Sequence, residues 1–166
     1  MSILFTPGEI FDIAIEIERN GAAFYRKAAA NTSDSAVRRE LIELAAMEDG
    51  HEVTFSELKR DLVGDEEQVA WFDVECDAVI YLQNFADGQV FDLTKDPGAF
   101  LAATASLPET LRFALDHERD SVVFFLGMKE LMPAADGRSK VDSIIKQEMG
   151  HITLLGRRLL QVSGRE

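Results

Sequence analysis

Two of the three histidines in the sequence follow a glutamate by three residues. The pairs are Glu48 with His51 and Glu148 with His151. Residues three apart on an α-helix lie on one face, with Cβ atoms about 5–6 Å apart. Each pair can therefore direct one oxygen and one nitrogen at a single metal ion.

Two further glutamates precede these pairs at equal distances. Glu18 lies 30 residues before Glu48, and Glu118 lies 30 residues before Glu148. At an offset of 100 residues the two halves align without a gap across these positions. Other residues that the offset matches are Glu9 with Glu109, Ala14 with Ala114, Arg19 with Arg119, Phe24 with Phe124 and Gly50 with Gly150. The repeat indicates an internal duplication of a helix hairpin, related by a pseudo-two-fold axis.

The repeated spacing yields four carboxylates and two imidazoles, a set whose four negative charges balance two divalent cations. Mixed oxygen and nitrogen ligands suit iron or manganese, and zinc can also enter such a site. Carboxylate-bridged di-metal helix bundles use this ligand set. The six candidate ligands are Glu18, Glu48, His51, Glu118, Glu148 and His151. Singly, each would be an ordinary solvated or ion-paired residue, but the repeat favours metal binding.

Helix formers dominate the composition, and four long helices are predicted to carry the candidate ligands on their apolar stripes. The first begins at a capping box of Thr6 and Glu9, and ends at the polar cluster 31–35. The second runs from about Ala36 to about Leu62, where Gly64 stops it.

The third helix begins at a second capping box, Ser106 and Glu109, and continues to about Met132. The fourth follows a predicted turn at residues 135–137 and frays near Gly164.

A long segment, residues 63–105, separates the two hairpins. Its aromatic-rich stretch from Trp71 to Phe85 predicts a short helix. So long a connection fits a crossover that runs the length of a bundle, which lets the second and third long helices lie parallel. We therefore predict a single all-α domain over residues 1–166, a four-helix bundle with duplicated halves 6–62 and 106–162.

The acidic charge balance makes two classes of partner unfavourable, nucleic acids and anionic membranes. Asp and Glu total 30 against 17 Lys and Arg, a net charge of −13, which disfavours nucleic acid and anionic membrane surfaces.

No apolar run reaches membrane-spanning length. The start of the chain lacks the features of a signal peptide, so we expect a cytoplasmic protein. Cys76 is the single cysteine, which excludes a CxxC site within this sequence.

The sequence around the candidate ligands resembles the rubrerythrin branch of the ferritin-like superfamily over nearly the whole chain. The segments that carry the resemblance are 18–25, 48–51, 118–125 and 148–151. The resemblance implies a ferritin-like bundle that holds two iron ions bridged by Glu48 and Glu148. One terminal Glu and one His would complete each ion, namely Glu18 with His51 and Glu118 with His151.

This resemblance also implies a function, in which the protein reduces peroxide or dioxygen, or oxidises ferrous iron. Full-length rubrerythrins carry a rubredoxin module with CxxC motifs, so an external electron donor such as a rubredoxin-like protein is expected here. They also carry an extra carboxylate on the third helix, where this sequence has Leu115 and Ser121. A homodimer is expected from the resemblance and the aromatic crossover. Two alternatives remain: an iron-handling module without turnover, and a helical interaction protein with a structural metal.

Tyr25 is a further candidate for the catalytic site, beside Glu48 and Glu148. It would act as a hydrogen-bond donor or a redox-active neighbour, although a plain core aromatic is the alternative; its counterpart Phe125 lacks the hydroxyl. His117 precedes Glu118, and because consecutive helix residues point about 100° apart, we expect it on the outer face.

Two glycines and four crossover residues are interpreted as structural and not as part of the candidate site. Gly50 and Gly150 lie inside predicted helices, where close approach of a neighbouring helix beside the candidate ligands would explain them, and neutral drift is the alternative. The crossover residues expected in the core or in a subunit contact are Trp71, Phe72, Cys76 and Tyr81.

Overall fold

The structure is a computed structural model that describes residues 5–63, 77–86, 106–132 and 135–164, with only the backbone at 83–86. Its helices are α1 (Pro7–Asn31), α2 (Ser35–Leu62), α3 (Asp77–Ala86), α4 (Leu107–Leu131) and α5 (Ala135–Ser163). No strand occurs in these ranges, and the all-α prediction is confirmed. None of the helices described is long and apolar enough to cross a membrane.

Ion pairs show that α1 and α2 form an antiparallel hairpin. Lys59 Nζ, near the end of α2, lies 2.6 Å from Asp12 Oδ1, near the start of α1. Farther along α1, Arg19 Nε lies 2.7 Å from Glu52 Oε1, which is earlier in α2. The residue later in α1 thus pairs with the residue earlier in α2, as expected for antiparallel helices.

The second hairpin, α4 and α5, packs against the first so that α2 and α5 are also antiparallel. Glu40, early in α2, pairs with Arg158, late in α5, while His51 and Glu148 meet near the middle of both helices. Since α4 and α5 are themselves antiparallel neighbours, α2 and α4 run parallel. That is the arrangement predicted for a long crossover.

Both predicted capping boxes are present, and they begin α1 and α4. The Thr6 amide donates to Glu9 Oε2 at 2.7 Å, and the Glu9 amide donates to Thr6 Oγ1 at 3.2 Å. Ser106 and Glu109 exchange the equivalent bonds at 2.7 and 3.4 Å. Each cap satisfies amides that lack an intrahelical partner, so the duplicated halves begin in the same way.

The predicted turn at 135–137 is wrong, because α5 already begins at Ala135. Gly137 is buried in the first helical turn, where an added Cβ would lie 3.6 Å from Leu62. The first amides of a helix need no intrahelical acceptor, so a turn-forming sequence is tolerated there. In the crossover, the predicted helix is observed from Asp77 onward, and residues 71–76 lie outside the described residues.

Two apolar clusters fill the bundle and leave a polar layer between them. One cluster contains Phe11, Phe55 and Phe124, with Leu82 of α3 added to it. The other contains Tyr25, Leu41 and Leu111. Glu18, Glu48, Glu118 and Glu148 occupy chain positions between the two clusters on their respective helices. The bundle therefore holds these four carboxylates buried in its middle, away from both ends.

Candidate metal centre

The six candidate ligands converge in the middle of the bundle, and none is more than 4% exposed. Their ligand atoms form two groups, in each of which all atoms lie within 4.8 Å of one another. The groups are Glu18, Glu48, His51 and Glu148, and Glu48, Glu118, Glu148 and His151. Glu48 and Glu148, here called the shared glutamates, belong to both groups. Glu18 and Glu118, the terminal glutamates, belong to one each.

Each shared glutamate directs its two oxygens at different histidines. Glu148 Oε1 lies 2.8 Å from His51 Nδ1, and Glu148 Oε2 lies 2.8 Å from His151 Nδ1. Glu48 Oε2 lies 3.2 Å from His51 Nδ1, and its Oε1 lies 3.4 Å from His151 Nδ1. A carboxylate placed in this way can bridge two ions.

The terminal glutamates complete the two groups at nearly equal distances. Glu18 Oε2 lies 3.4 Å from His51 Nδ1, and Glu118 Oε1 lies 3.5 Å from His151 Nδ1. The two imidazole rings stack with centroids 5.9 Å apart and planes at 20°. The site therefore has the pseudo-two-fold symmetry of the sequence repeat.

Protons balance the charge of this cluster when no metal is bound. Burial raises the pKa of both terminal glutamates. Burial also acts on the shared glutamates, but the adjacent imidazoles of His151 and His51 lower their pKa below the ordinary value. Burial would lower the pKa of His151, but the surrounding carboxylates raise it to about 12 and raise that of His51 as well. Metal binding must displace protons from such a site.

Several polar atoms of the cluster are buried without a well-formed hydrogen bond to any described residue. They are Glu18 Oε1, Glu48 Oε1, both carboxylate oxygens of Glu148, His151 Nδ1, and Nε2 of both His51 and His151. The short approaches between Glu148 and His151 are close enough for hydrogen bonds but not aligned as such. An unsatisfied buried polar group costs about 1–3 kcal/mol. Converging oxygens and nitrogens of which so many lack an aligned hydrogen bond fit a pair of metal ions.

Tyr25 lies against this cluster and is fully buried. Its hydroxyl donates a hydrogen bond to Glu118 Oε1. Burial, together with the Glu118 charge, raises the pKa of Tyr25, so the phenol remains a neutral donor. The structure thus contains a hydrogen bond from Tyr25 to a candidate ligand, whereas a redox role of Tyr25 stays a prediction.

His117 does not lie on the outer face as predicted. It is half-buried between α4 and α1, and its Nε2 lies 3.1 Å from where a Cβ on Gly21 would stand. Burial lowers the pKa of His117, while Glu48 and Glu148 oppose that change. The 100° step from Glu118 carries the side chain to the edge of the α1–α4 contact, where Gly21 leaves room for it. In the sequence, Gly21 is the feature that could have indicated that His117 packs against α1.

The interpretation of Gly50 and Gly150 as sites of close helix approach is wrong. Both are exposed, and an added Cβ at either would meet no described atom within 4 Å. Gly21 is the glycine that lies beside a candidate ligand, since its Cβ would be 3.4 Å from Glu48 Cγ. Ser121 is buried and donates to the His117 carbonyl oxygen at 3.0 Å.

A solved structure from Thermotoga maritima has the same architecture. That protein, provisionally described as a ferritin-like diiron-carboxylate protein, matches 95% of this chain over 94% of its own, with a TM-score of 0.63 and 23% identity. At this identity the likeness establishes the fold, a ferritin-like helical bundle. No protein-family model and no curated protein matches the chain.

Proposed function

We propose that this protein is a di-iron carboxylate protein of the rubrerythrin type. It would reduce peroxide or dioxygen, or oxidise ferrous iron, with electrons from an external donor. One observation supports this proposal above the others. Two buried ligand groups, each within 4.8 Å, share Glu48 and Glu148 between them.

The residues of the site would have distinct tasks. The shared glutamates would bridge the ions, and each terminal glutamate with its histidine would complete one ion. Tyr25 would orient Glu118 through its hydroxyl, and the apolar clusters at both ends would exclude bulk water. The iron pair would supply the redox chemistry, in which peroxide takes up two electrons and two protons to give two waters. Zinc or manganese would fit the same oxygen and nitrogen ligands.

Partners of this activity belong to the proposal as well. The electron donor is proposed to be a rubredoxin-like protein. A homodimer in the cytoplasm, without a nucleic-acid or membrane partner, is the proposed working form.

Rapid mixing tests the proposal. Anaerobic protein loaded with two equivalents of ferrous iron should be oxidised by peroxide faster than the same iron in buffer. The variant with both Glu48→Ala and Glu148→Ala should lose this acceleration, because both proposed bridges are gone. The matched control is Glu43→Ala, an exposed glutamate on the same helix, which should react like the unmodified protein.

Three outcomes distinguish the candidate functions. Repeated turnover with a reductant supports the enzyme, whereas one stoichiometric oxidation supports an iron-handling module. Protein that binds iron but reacts no faster than buffer supports a structural metal. A chain that binds no iron under anaerobic, iron-replete conditions contradicts the whole proposal.

A further inference from the structure

The pseudo-symmetry of the centre is broken at one ring that lies against it. Position 25 is tyrosine, and position 125, at the repeat offset of 100, is phenylalanine. Both rings are fully buried and occupy equivalent places. Tyr25 meets Phe24 edge-on at 5.5 Å and 71°, and Phe125 meets Phe124 edge-on at 6.0 Å and 81°. The two halves therefore differ there by one hydroxyl group in similar surroundings.

That hydroxyl reaches only one of the two terminal glutamates. Glu118 Oε1 accepts the hydrogen bond from Tyr25 and lies 3.5 Å from His151 Nδ1. Glu18 has the equivalent histidine approach, 3.4 Å from His51 Nδ1 through Oε2. Its other oxygen, Oε1, is buried without a partner among the described residues. Among the described residues, a group outside the candidate ligands thus holds Glu118 by a hydrogen bond, and none holds Glu18.

We propose that Tyr25 makes the two metal positions unequal. The position of Glu118 and His151 binds its ion first and more tightly, and the position of Glu18 and His51 binds second and releases its ion more readily. This inference rests on the proposed di-metal function. Groups that hydrogen-bond to metal ligands fix their orientation, and losing one typically costs 10–100-fold in metal affinity.

Tyr25 acts here as a positioning residue, because it reaches the metal position only through Glu118. A carboxylate already oriented without metal loses little freedom when the ion arrives. Glu18 must instead be ordered by the ion itself. The chain would therefore keep one ion in place while the other enters and leaves.

Calorimetric titration with Co²⁺, an ion that accepts the same ligands without being oxidised by air, tests this inference. The unmodified protein should bind two ions in steps whose Kd values differ by about 10–100-fold. Tyr25→Phe should weaken the tighter step by about the same factor and change the weaker step less. Phe125→Tyr should tighten the weaker step, since its hydroxyl would reach the unpartnered Glu18 Oε1.

Two further variants locate the effect. The exchange Tyr25→Phe with Phe125→Tyr keeps the composition and should restore two unequal steps in reversed order. When Glu18→Gln is added to this exchange variant, it should raise the Kd of the tighter step. In the otherwise unmodified protein, Glu18→Gln should instead raise the Kd of the second, weaker step. Tyr81→Phe is the matched control, because the Tyr81 hydroxyl donates to the Val123 carbonyl oxygen at 3.2 Å, away from the cluster. It should leave both steps unchanged.

The results separate this inference from the function on which it rests. Two equal steps in the unmodified protein, or constants that Tyr25→Phe leaves unchanged, overturn the inequality while the di-metal proposal stands. A protein that binds no Co²⁺ overturns both.

Discussion

The charged residues of this chain fall into two groups with different energetics. In the buried cluster, carboxylates and imidazoles lack water, and their protons or a metal must balance them. On the surface, ion pairs are hydrated and individually weak. Asp142 is a partly exposed carboxylate that pairs with two cations, since Lys129 Nζ lies 2.7 Å from its Oδ1 and Lys146 Nζ lies 2.6 Å from its Oδ2.

A change at Asp142 should therefore alter how stability depends on pH. Hydrogen bonds from Lys129 and Lys146 lower the pKa of Asp142 to about 2 in the folded protein. A folded pKa below the unfolded value of about 3.9 stabilises the protein above pH 4, and this stabilisation is lost as the pH falls towards 2. Asp142→Asn should lower the free energy of unfolding at pH 7, by an amount that shrinks between pH 4 and pH 2.

Urea denaturation across this pH range measures the effect. Asp136→Asn is the control, because its carboxylate is 81% exposed and its one ion pair among the described residues is with Lys140, at 3.3 Å. A difference between Asp142→Asn and the unmodified protein that stays constant from pH 7 to pH 2 would contradict the pKa assignment.

Contacts between helices depend on where side chains leave room. Gly127 on α4 faces α3, and a Cβ there would stand 2.7 Å from Tyr81 Cδ1 and 2.8 Å from Leu82 Cδ2. Real Cβ atoms do not approach so closely, so α3 packs on α4 only because residue 127 has no side chain. By contrast, a Cβ at Gly50 would meet no atom of the described residues within 4 Å. The two helical glycines should therefore respond oppositely to the same substitution.

Gly127→Ala should lower the free energy of unfolding by about 1–3 kcal/mol, because it overpacks the contact with α3. Gly50→Ala, the matched control, should raise it by about 0.5–1 kcal/mol, because alanine loses less conformational freedom in a helix. Chemical denaturation of both variants measures the two changes. Equal effects of the same sign would show that α3 does not pack on Gly127 as described.

The molecule as a whole places its polar layer between two apolar clusters. This layout is costly without metal, since seven buried polar atoms of the cluster lack a well-formed hydrogen bond to a described residue. A ligand that binds only the folded state raises its stability by an amount that grows with the logarithm of the ligand concentration once this exceeds Kd. Stability of the whole bundle should therefore depend on metal.

Metal at 100 times its Kd should raise the free energy of unfolding by about 2.7 kcal/mol for each site. Thermal unfolding with Mn²⁺, and again after addition of a chelator, measures the gain and its reversal. The variant with both Glu48→Ala and Glu148→Ala should gain nothing. An unmodified protein with the same Tm in metal and in chelator would contradict a metal site in the bundle.

Local spacing was enough to predict much of this molecule from its sequence. The capping boxes, the four long helices and the six candidate ligands all follow from the helical period, because a helix places residues three or four apart on one face. The repeat at an offset of 100 added the pseudo-symmetry. The domain limits, the dimer and the electron donor remain predictions.

Only the tertiary structure decided how side chains from different helices meet. Tyr25 and Glu118 are 93 residues apart, and their hydrogen bond depends on how α1 and α4 are rotated against each other. The same rotation leaves His117 half-buried between these two helices. On α2, a Cβ at Gly50 would meet no described atom within 4 Å. Helical periodicity determines which face a residue occupies, but packing determines what that face touches. The sequence by itself therefore determined the set of candidate ligands, and the fold decided which of them belong to both groups and which one accepts a hydrogen bond from Tyr25.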